Sequence, residues 1–243
     1  MPRRTRYALG APCWADCITP DLSGSRDFYS ALFGWEFVTE SPDYQLALLG
    51  GEIIGGFGAA PAGMPPGAVW NTYLATKDAD DSCTQVGRHG GRVVMPPVPV
   101  GANGRLFLAV DPSGVAIGFW EGHRAEGVVL ADEPGAICGH ELRVPLAATA
   151  EAFYGALFGY RLTGDGEFEL DGVGQARVVE SDQGRPQWLP HLGAHDPADT
   201  VHRAVELGAR LIRPGREEPP VLRDPWGAEF GVVAAPAGGG GGA

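Results

Sequence analysis

The amino-acid sequence predicts an α+β protein that consists of two tandem copies of one domain, each built from two β-α-β-β-β units. Three segments of the first half recur in the same order in the second half: Phe28–Trp35 as Phe153–Tyr160, Trp70–Pro96 as Trp188–Pro214, and Asp111–Gly114 as Asp224–Gly227. Segments that recur in a fixed order indicate a duplicated structural unit. A chain of 243 residues is long enough for two domains of ordinary size.

The hydrophobic pattern gives the order of elements within each unit. A strand at 11–20 precedes a helix at 22–32, in which Phe28 and Leu32 have helical spacing, and Gly34 supplies the left-handed residue that ends the helix. Turn residues then separate three short strands. The second unit repeats this order, with these predicted elements: strand Val69–Ala75, helix Ala79–His89, and strands Arg92–Met95, Arg105–Val110 and Ala116–Trp120.

These units set the predicted domain boundaries. The first domain spans 8–122 and contains units at 8–64 and 67–122. The second domain spans 134–235 and contains units at 134–182 and 186–235. A polar linker at 123–133 joins them, and the glycine-rich tail at 236–243 is expected to be disordered.

Composition and charge exclude several classes of partner. The net charge of −12 argues against nucleic acid and against anionic membranes, since both require a basic surface. There is no run of 18 or more apolar residues and no apolar leader, so we expect a cytoplasmic protein. Its four cysteines are then reduced thiols. The expected partner is a small molecule, and the chain is expected to be a monomer with an internal pseudo-dimer or a homodimer.

Taken together, three features resemble the vicinal oxygen chelate superfamily: the four units, the Phe-Tyr-x-Ala-Leu-Phe-Gly phrase at the end of the first helix of each half, and the Asp-Pro-x-Gly turn before each half's last strand. This is the glyoxalase, bleomycin-resistance and extradiol-dioxygenase group, and the resemblance is greatest to tandem actinobacterial members labelled hydroxylases. It implies that paired units curl their sheets into two clefts. It also implies a divalent metal held by His or Gln on a unit's first strand and by Glu on its last strand.

The sequence lacks these ligands at the positions that the resemblance indicates. The last-strand positions are Gly118 and Gly231, and glycine has no ligand atom. The first-strand positions are Trp14, Asn71, Gly139 and Leu189. A one-residue change of register would replace Gly139 by His140, and Glu229 shares a strand face with Gly231, so both remain open as substitutes. We therefore predict no metal and no other cofactor, because a metal site needs three or four converging donors.

Strand alternation predicts which residues line the two clefts. The first cleft has Trp14 and Asp16 on one strand and Asn71 and Tyr73 on the other, which provides aromatic surface with a few polar groups, as in pockets for flat organic ligands. The alternative is that Trp14 and Tyr73 merely fill a collapsed cleft. Cys13 and Cys17 have the opposite parity and should face the covering helix.

The second cleft has Glu141, Arg143 and His191, which could serve as base, anion clamp and proton shuttle, or could form an ordinary ion pair beside a buried histidine. Asp16, Glu141 and His191 are the candidate catalytic residues. The first functional hypothesis is a metal-independent enzyme that isomerises, cyclises or assists oxygenation of a hydrophobic aromatic secondary metabolite. The alternatives are a drug-sequestering protein of the bleomycin-resistance kind and a metal-dependent lyase or dioxygenase with unusual ligands.

Overall fold

The computed structural model describes residues 4–215 and 218–236, and the predicted tail beyond Pro236 lies outside the described residues. The first half contains two helices and eight strands. Their bounds are β1 Pro12–Thr19, α1 Leu22–Phe33, β2 Glu36–Ser41, β3 Tyr44–Leu49, β4 Glu52–Ala59, β5 Val69–Thr76, α2 Ala79–Arg88, β6 Arg92–Val100, β7 Gly104–Val110 and β8 Ala116–Gly122.

The second half repeats this order of elements, so the predicted four β-α-β-β-β units are confirmed. The bounds are β9 Ile137–Val144, α3 Ala147–Phe158, β10 Arg161–Leu162, β11 Glu167–Leu170, β12 Val173–Glu180, β13 Gln187–Ala194, α4 Pro197–Glu206, β14 Arg210–Arg213, β15 Val221–Arg223 and β16 Glu229–Ala234.

Each half forms one eight-stranded sheet in which the first strands of its two units lie side by side. The first sheet has the order β2-β3-β4-β1-β5-β8-β7-β6, and the second has the order β10-β11-β12-β9-β13-β16-β15-β14. The central pairs β1/β5 and β9/β13 are antiparallel, and each of these strands pairs in parallel with the last strand of its own unit. The candidate residues therefore lie at the centre of each sheet.

One edge strand is longer than the sequence indicated. The predicted strand at 92–95 ended before two prolines, yet β6 continues to Val100. Proline cannot donate to a neighbouring strand, but β6 is the outermost strand of its sheet and pairs only with β7. A proline at an edge therefore costs no ladder hydrogen bond on the solvent side.

The first helix has a carboxylate cap at its start and the predicted glycine at its end. The Asp21 carboxylate accepts a hydrogen bond from the Gly24 amide at 2.9 Å and so caps the helix start. Gly34 ends the helix with φ of +76°, the left-handed conformation that glycine adopts without strain. The repeat preserves this ending at Gly159, where φ is +85°.

The segments that recur in the two halves also join the halves to each other. Tyr29 of α1 donates to Asp224, in the Asp-Pro-x-Gly turn of the other half, at 3.2 Å, and accepts from the indole of Trp70 at 3.0 Å. The mirror arrangement joins Tyr154 to Asp111 and Trp188 at 3.0 and 2.9 Å, respectively. We call these two buried triads the interdomain clasps.

The hydrophobic core is likewise shared between the halves. One cluster combines α1 residues such as Phe28 with Phe230 of β16, and the other combines Phe107 and Phe119 of the first half with Phe153 of α3. The helices thus lie between the sheets, and the opposite sheet faces form the two clefts. Among the described residues, no helix is long and apolar enough to cross a membrane.

Candidate functional site

The floor of the first cleft is a buried carboxylate that is surrounded by neutral hydrogen-bond donors. Asp16 lies on β1 and is 4% exposed. Its Oδ1 accepts from the Asn71 amide at 3.1 Å, and its Oδ2 accepts from the hydroxyls of Tyr73 at 3.1 Å and Tyr44 at 3.2 Å. The structure therefore brings together the predicted residues Asp16, Asn71 and Tyr73.

The same surroundings raise the pKa of the Asp16 carboxyl. Burial raises the pKa of this carboxyl to about 6, against the opposing effect of the three hydrogen bonds from Asn71, Tyr73 and Tyr44. Neutral donors stabilise a carboxylate less than a cation does, which is why burial prevails here. A carboxyl with such a pKa can both accept and release a proton near neutral pH.

The open side of this cleft is aromatic and polar. Trp14, Tyr44 and Asn71 are half-buried, so they present surface to solvent above Asp16. The Trp14 indole donates to the Tyr44 hydroxyl at 3.2 Å, which links the aromatic wall to the carboxylate. Trp14 and Asn71 were predicted to line the cleft, whereas Tyr44 was not.

Alternation along the first strands does not reveal Tyr44, because this residue begins β3. The available signal was the pair Gly56 and Gly58 on β4. A Cβ at Gly56 would collide with the Tyr44 hydroxyl, and one at Gly58 would lie 3.2 Å from the Tyr44 ring. Glycines on alternate positions of a central strand indicate that a neighbouring side chain lies flat across them.

The second cleft has its carboxylate at the equivalent place, but cations surround it. Glu141 is fully buried on β9. Arg213 donates to both of its oxygens, and Arg143 donates to Oε1 at 3.1 Å and to Glu229 at 3.1 Å. Burial alone would raise the pKa of Glu141, but the surrounding donors, Arg213 and Arg143 among them, outweigh it and hold the pKa at about 2.

His191 lies beside this ion-pair cluster without joining it. The side chain is 5% exposed, and Nε2 lies 3.7 Å from Glu141 Oε2, beyond hydrogen-bond distance. This nitrogen has no hydrogen-bond partner within the described part of the chain. Of the two interpretations left open for the second cleft, the geometry favours the ion pair beside a buried histidine, because a carboxylate held by two arginines is a poor base.

The glycines at the superfamily's Glu positions have a clear structural role. A Cβ at Gly118 would collide with the ring of Tyr73, and one at Gly231 would collide with the ring of His191. Each glycine is the parallel-strand neighbour of that aromatic residue. A ring therefore occupies the space that a side chain from the last strand would need in both clefts.

The residues present do not fit the metal that the fold implies. Glu229, the substitute carboxylate, bonds to Arg143, Arg223 and Gln187. His140, the other substitute, lies on the helix side of β9, where it packs edge-to-face against Trp188, so Gly139 faces the cleft. Residues 4–215 and 218–236 contain no cluster of three or more His, Cys, Asp or Glu able to hold a metal ion.

Strand parity assigned Cys13 and Cys17 to the helix side of the sheet, and the packing of Cys17 agrees with this. Cys13 and Cys17 are buried, and Cys17 lies within the core cluster that includes residues of α1. Within the described ranges all four cysteines are free thiols. Burial raises the pKa of the Cys17 thiol, which makes it a poor nucleophile.

Comparison with known proteins agrees with this architecture. A family model described as Glyoxalase/Bleomycin resistance protein/Dioxygenase superfamily matches residues 14–119, and one described as Glyoxalase-like domain matches residues 141–233. The crystal structure of the Mn(II)-bound glyoxalase from Novosphingobium aromaticivorans superposes with a TM-score of 0.63 at 18% identity, covering 93% of this chain and 82% of that one.

Two relatives match over nearly their whole length. CFP32 of Mycobacterium tuberculosis (strain CDC 1551 / Oshkosh), whose name carries the provisional description glyoxylase, is 33% identical over 96% of this chain and 98% of its own. The anthracycline biosynthesis protein DauV of Streptomyces sp. (strain C5) is 32% identical over 94% of both chains. By fold, family models and relatives, the chain belongs to the glyoxalase/bleomycin resistance protein/dioxygenase superfamily.

Proposed function

We propose that this protein binds a flat aromatic secondary metabolite in the first cleft and catalyses its isomerisation by acid–base chemistry, without a metal ion. The relatives support the choice of ligand class, because one of them is named as an anthracycline biosynthesis protein. The half-buried Trp14 supports it from the structure, since its indole provides aromatic surface next to polar anchors.

The observation that carries the proposal is Asp16, a buried carboxyl that has no cationic partner among the residues that the structure describes. Its pKa of about 6 results from burial and suits a group that exchanges protons near neutral pH. The equivalent Glu141 has two arginines as partners and a pKa of about 2, so it remains a carboxylate under the same conditions. The proposed catalytic activity therefore lies in the first cleft.

Isomerisation is the reaction that this cleft can complete with its own groups. Asp16 Oδ2 would accept a proton from an acidic C–H or O–H of the ligand, and the electron pair would move into the conjugated system. The same carboxyl would return the proton to another position, so no atom is gained or lost and no oxidant is needed. The Asn71 amide and the Tyr73 hydroxyl would hold the carboxylate oriented in both steps.

The metal-free part of the proposal rests on the donor set. The two glycines at the superfamily's Glu positions each lie beneath a ring, Glu229 bonds to Arg143, and His140 lies on the opposite face of β9, against Trp188. Metal analysis of tag-free, as-purified protein should find well below one equivalent of Fe, Zn, Mn or Ni. One equivalent of any of these would contradict this part of the proposal.

Sequestration without chemistry is the second candidate, and the burial of Asp16 favours it. At 4% exposure, the carboxylate lies beneath Tyr44 and Tyr73, so a ligand resting on the aromatic wall would not touch it. In that case the bound compound leaves unchanged. Trp14→Ala would weaken binding, whereas Asp16→Asn would have little effect.

One experiment distinguishes the two candidates. The purified protein is incubated with a metabolite extract of an anthracycline-producing Streptomyces, and bound and free compounds are identified by mass spectrometry. An isomer with unchanged mass but altered retention, accumulating beyond one equivalent, supports catalysis, and Asp16→Asn should then abolish turnover while affinity stays within about tenfold. A compound retained intact at one equivalent supports sequestration. If nothing is retained or converted, both candidates fail.

A further inference from the structure

Tyr44 occupies an unusual place in the first cleft. Its hydroxyl lies between two groups, accepting from the Trp14 indole at 3.2 Å and donating to Asp16 Oδ2 at 3.2 Å. Both partners were predicted to contact a ligand. The side chain of Tyr44 thus makes the contacts that a phenolic ligand would make in this cleft.

The strand surface beneath the Tyr44 ring lacks side chains and can accommodate a flat ring. Gly56 and Gly58 lie on alternate positions of β4 and are both buried, Gly56 beneath the Tyr44 ring and Gly58 beneath that ring and the Ile18 side chain. A Cβ at Gly56 would collide with the ring's hydroxyl end. Two buried glycines leave the backbone exposed to close approach, which allows a planar group to lie directly on the sheet.

Tyr44 is also the residue of this network that can leave. It follows the turn Pro42–Asp43, whose residues are exposed, and its own side chain is half-buried. Tyr73, the other phenol on Asp16, lies in the central strand β5 and is 5% exposed, so neighbouring strands hold it in place.

We infer that Tyr44 holds the position of the ligand, and that the first cleft takes a phenol whose ring displaces the Tyr44 ring from Gly56 and Gly58. The phenol's hydroxyl then donates to Asp16 Oδ2 and accepts from the Trp14 indole, and this ligand hydroxyl is the group that reaches the buried carboxylate. This inference names the ligand class of the proposed function and rests on it.

The hydroxyl is essential to this recognition. When the Tyr44 ring leaves, Asp16 Oδ2 and the Trp14 indole each lose a partner. A ligand without a hydroxyl leaves these buried groups unsatisfied, and sites built to bind a hydroxyl reject analogues that lack it. The cleft should therefore prefer phenols to arenes of the same shape.

The test uses p-cresol, which reproduces the tyrosine side chain, with toluene as the analogue that lacks the hydroxyl. Isothermal titration compares wild type with Tyr44→Ala. If Tyr44 competes with the ligand, its removal should strengthen p-cresol binding by about tenfold or more, and the variant should bind toluene at least about tenfold more weakly than p-cresol. If Tyr44 is instead a wall that contacts the ligand, the same variant binds p-cresol more weakly than wild type.

A matched pair of variants keeps the test valid if Tyr44→Ala folds poorly. Tyr44→Phe and Tyr73→Phe each remove one phenol hydroxyl from the same oxygen of Asp16. Tyr44→Phe should raise p-cresol affinity because it weakens the hold on the competing ring, and Tyr73→Phe should not raise it. Unchanged or lower affinity in Tyr44→Phe, or equal binding of toluene and p-cresol, overturns the inference. Binding of p-cresol is measured without any turnover. This inference and the proposed catalytic function can therefore fail separately.

Discussion

The two clefts share one framework but treat their buried carboxylates in opposite ways. Asp16 and Glu141 occupy equivalent positions on the first strands, and each has an aromatic residue on the neighbouring strand that lies over a glycine. Asp16 is surrounded by two phenols and an amide, whereas Glu141 is surrounded by arginines. The same backbone thus supports an adjustable carboxyl in one copy and a fixed charge in the other.

The difference extends to the adjacent strand. Gly56 lies opposite Asp16, and Arg177 lies opposite Glu141 at the equivalent register. The glycine leaves room for a flat ring, whereas Arg177 carries a long cationic side chain that is exposed. Duplication therefore allows one copy to hold a structural ion-pair cluster, while we propose that the other copy binds a ligand.

Removing the fixed charge should have the largest effect on stability. In Glu141→Gln the guanidinium groups of Arg143 and Arg213 lose their shared carboxylate but keep Glu229 and Glu218, so the cost should approach about 3 kcal/mol, the lower end of the range for a buried ion pair broken from one side. Urea unfolding at pH 7 measures this loss. Asp182→Asn, at an exposed carboxylate, is the control and should change the free energy of unfolding by less than about 0.5 kcal/mol. A loss below about 1 kcal/mol in Glu141→Gln would show that the cluster is not structural.

The two carboxylates should also give stability opposite dependences on pH. Asp16 has a folded pKa of about 6 against an ordinary 3.8, so ionisation costs the folded state about 3 kcal/mol. Asp16→Asn should therefore gain stability relative to wild type as pH rises from about 4 to 6. The pKa of Glu141 in the folded state is about 2, below its ordinary 4.5. The loss of unfolding free energy in Glu141→Gln, relative to wild type, should therefore shrink as the pH falls from 4.5 towards 2. Unfolding measured across this pH series checks both slopes, and slopes of the same sign would contradict the comparison.

The interdomain clasps, in contrast to the clefts, should respond identically in the two copies. Tyr29→Phe and Tyr154→Phe each leave a buried aspartate and a buried indole without their shared hydroxyl. Each should cost about 1–3 kcal/mol in thermal or urea unfolding. Costs that differ by more than about 1 kcal/mol would mean that the copies have diverged in their packing as well as in their clefts.

The sequence was sufficient for the fold and for part of the first cleft. Repeated phrases and strand alternation placed Asp16, Asn71 and Tyr73 together, because period-two alternation in a central strand fixes which side chains share a face. Alternation could not show that Arg213 on β14 reaches Glu141, since β14 is the edge strand, four strands from β9, and the contact depends on how the sheet curls. For the same reason it could not choose between a base and an ion pair in the second cleft.

Tyr44 illustrates a different limit. Its role depends on a ring that lies across two strands, and the sequence shows only the glycines beneath it. The repeated Tyr and Asp-Pro-x-Gly residues likewise identified the family without revealing their purpose, which is to join the copies through the clasps. Contacts between distant elements are what sequence periodicity leaves undetermined.

The most direct test of the division between the clefts is a fluorescence titration with 1,8-dihydroxyanthraquinone, a planar phenolic probe. Wild type is compared with Trp14→Ala in the first cleft and Arg177→Ala in the second. We predict one probe bound per chain, with affinity at least about tenfold lower in Trp14→Ala and within about twofold of wild type in Arg177→Ala. Two bound probes per chain, or a loss of affinity in Arg177→Ala that matches the loss in Trp14→Ala, would contradict the account.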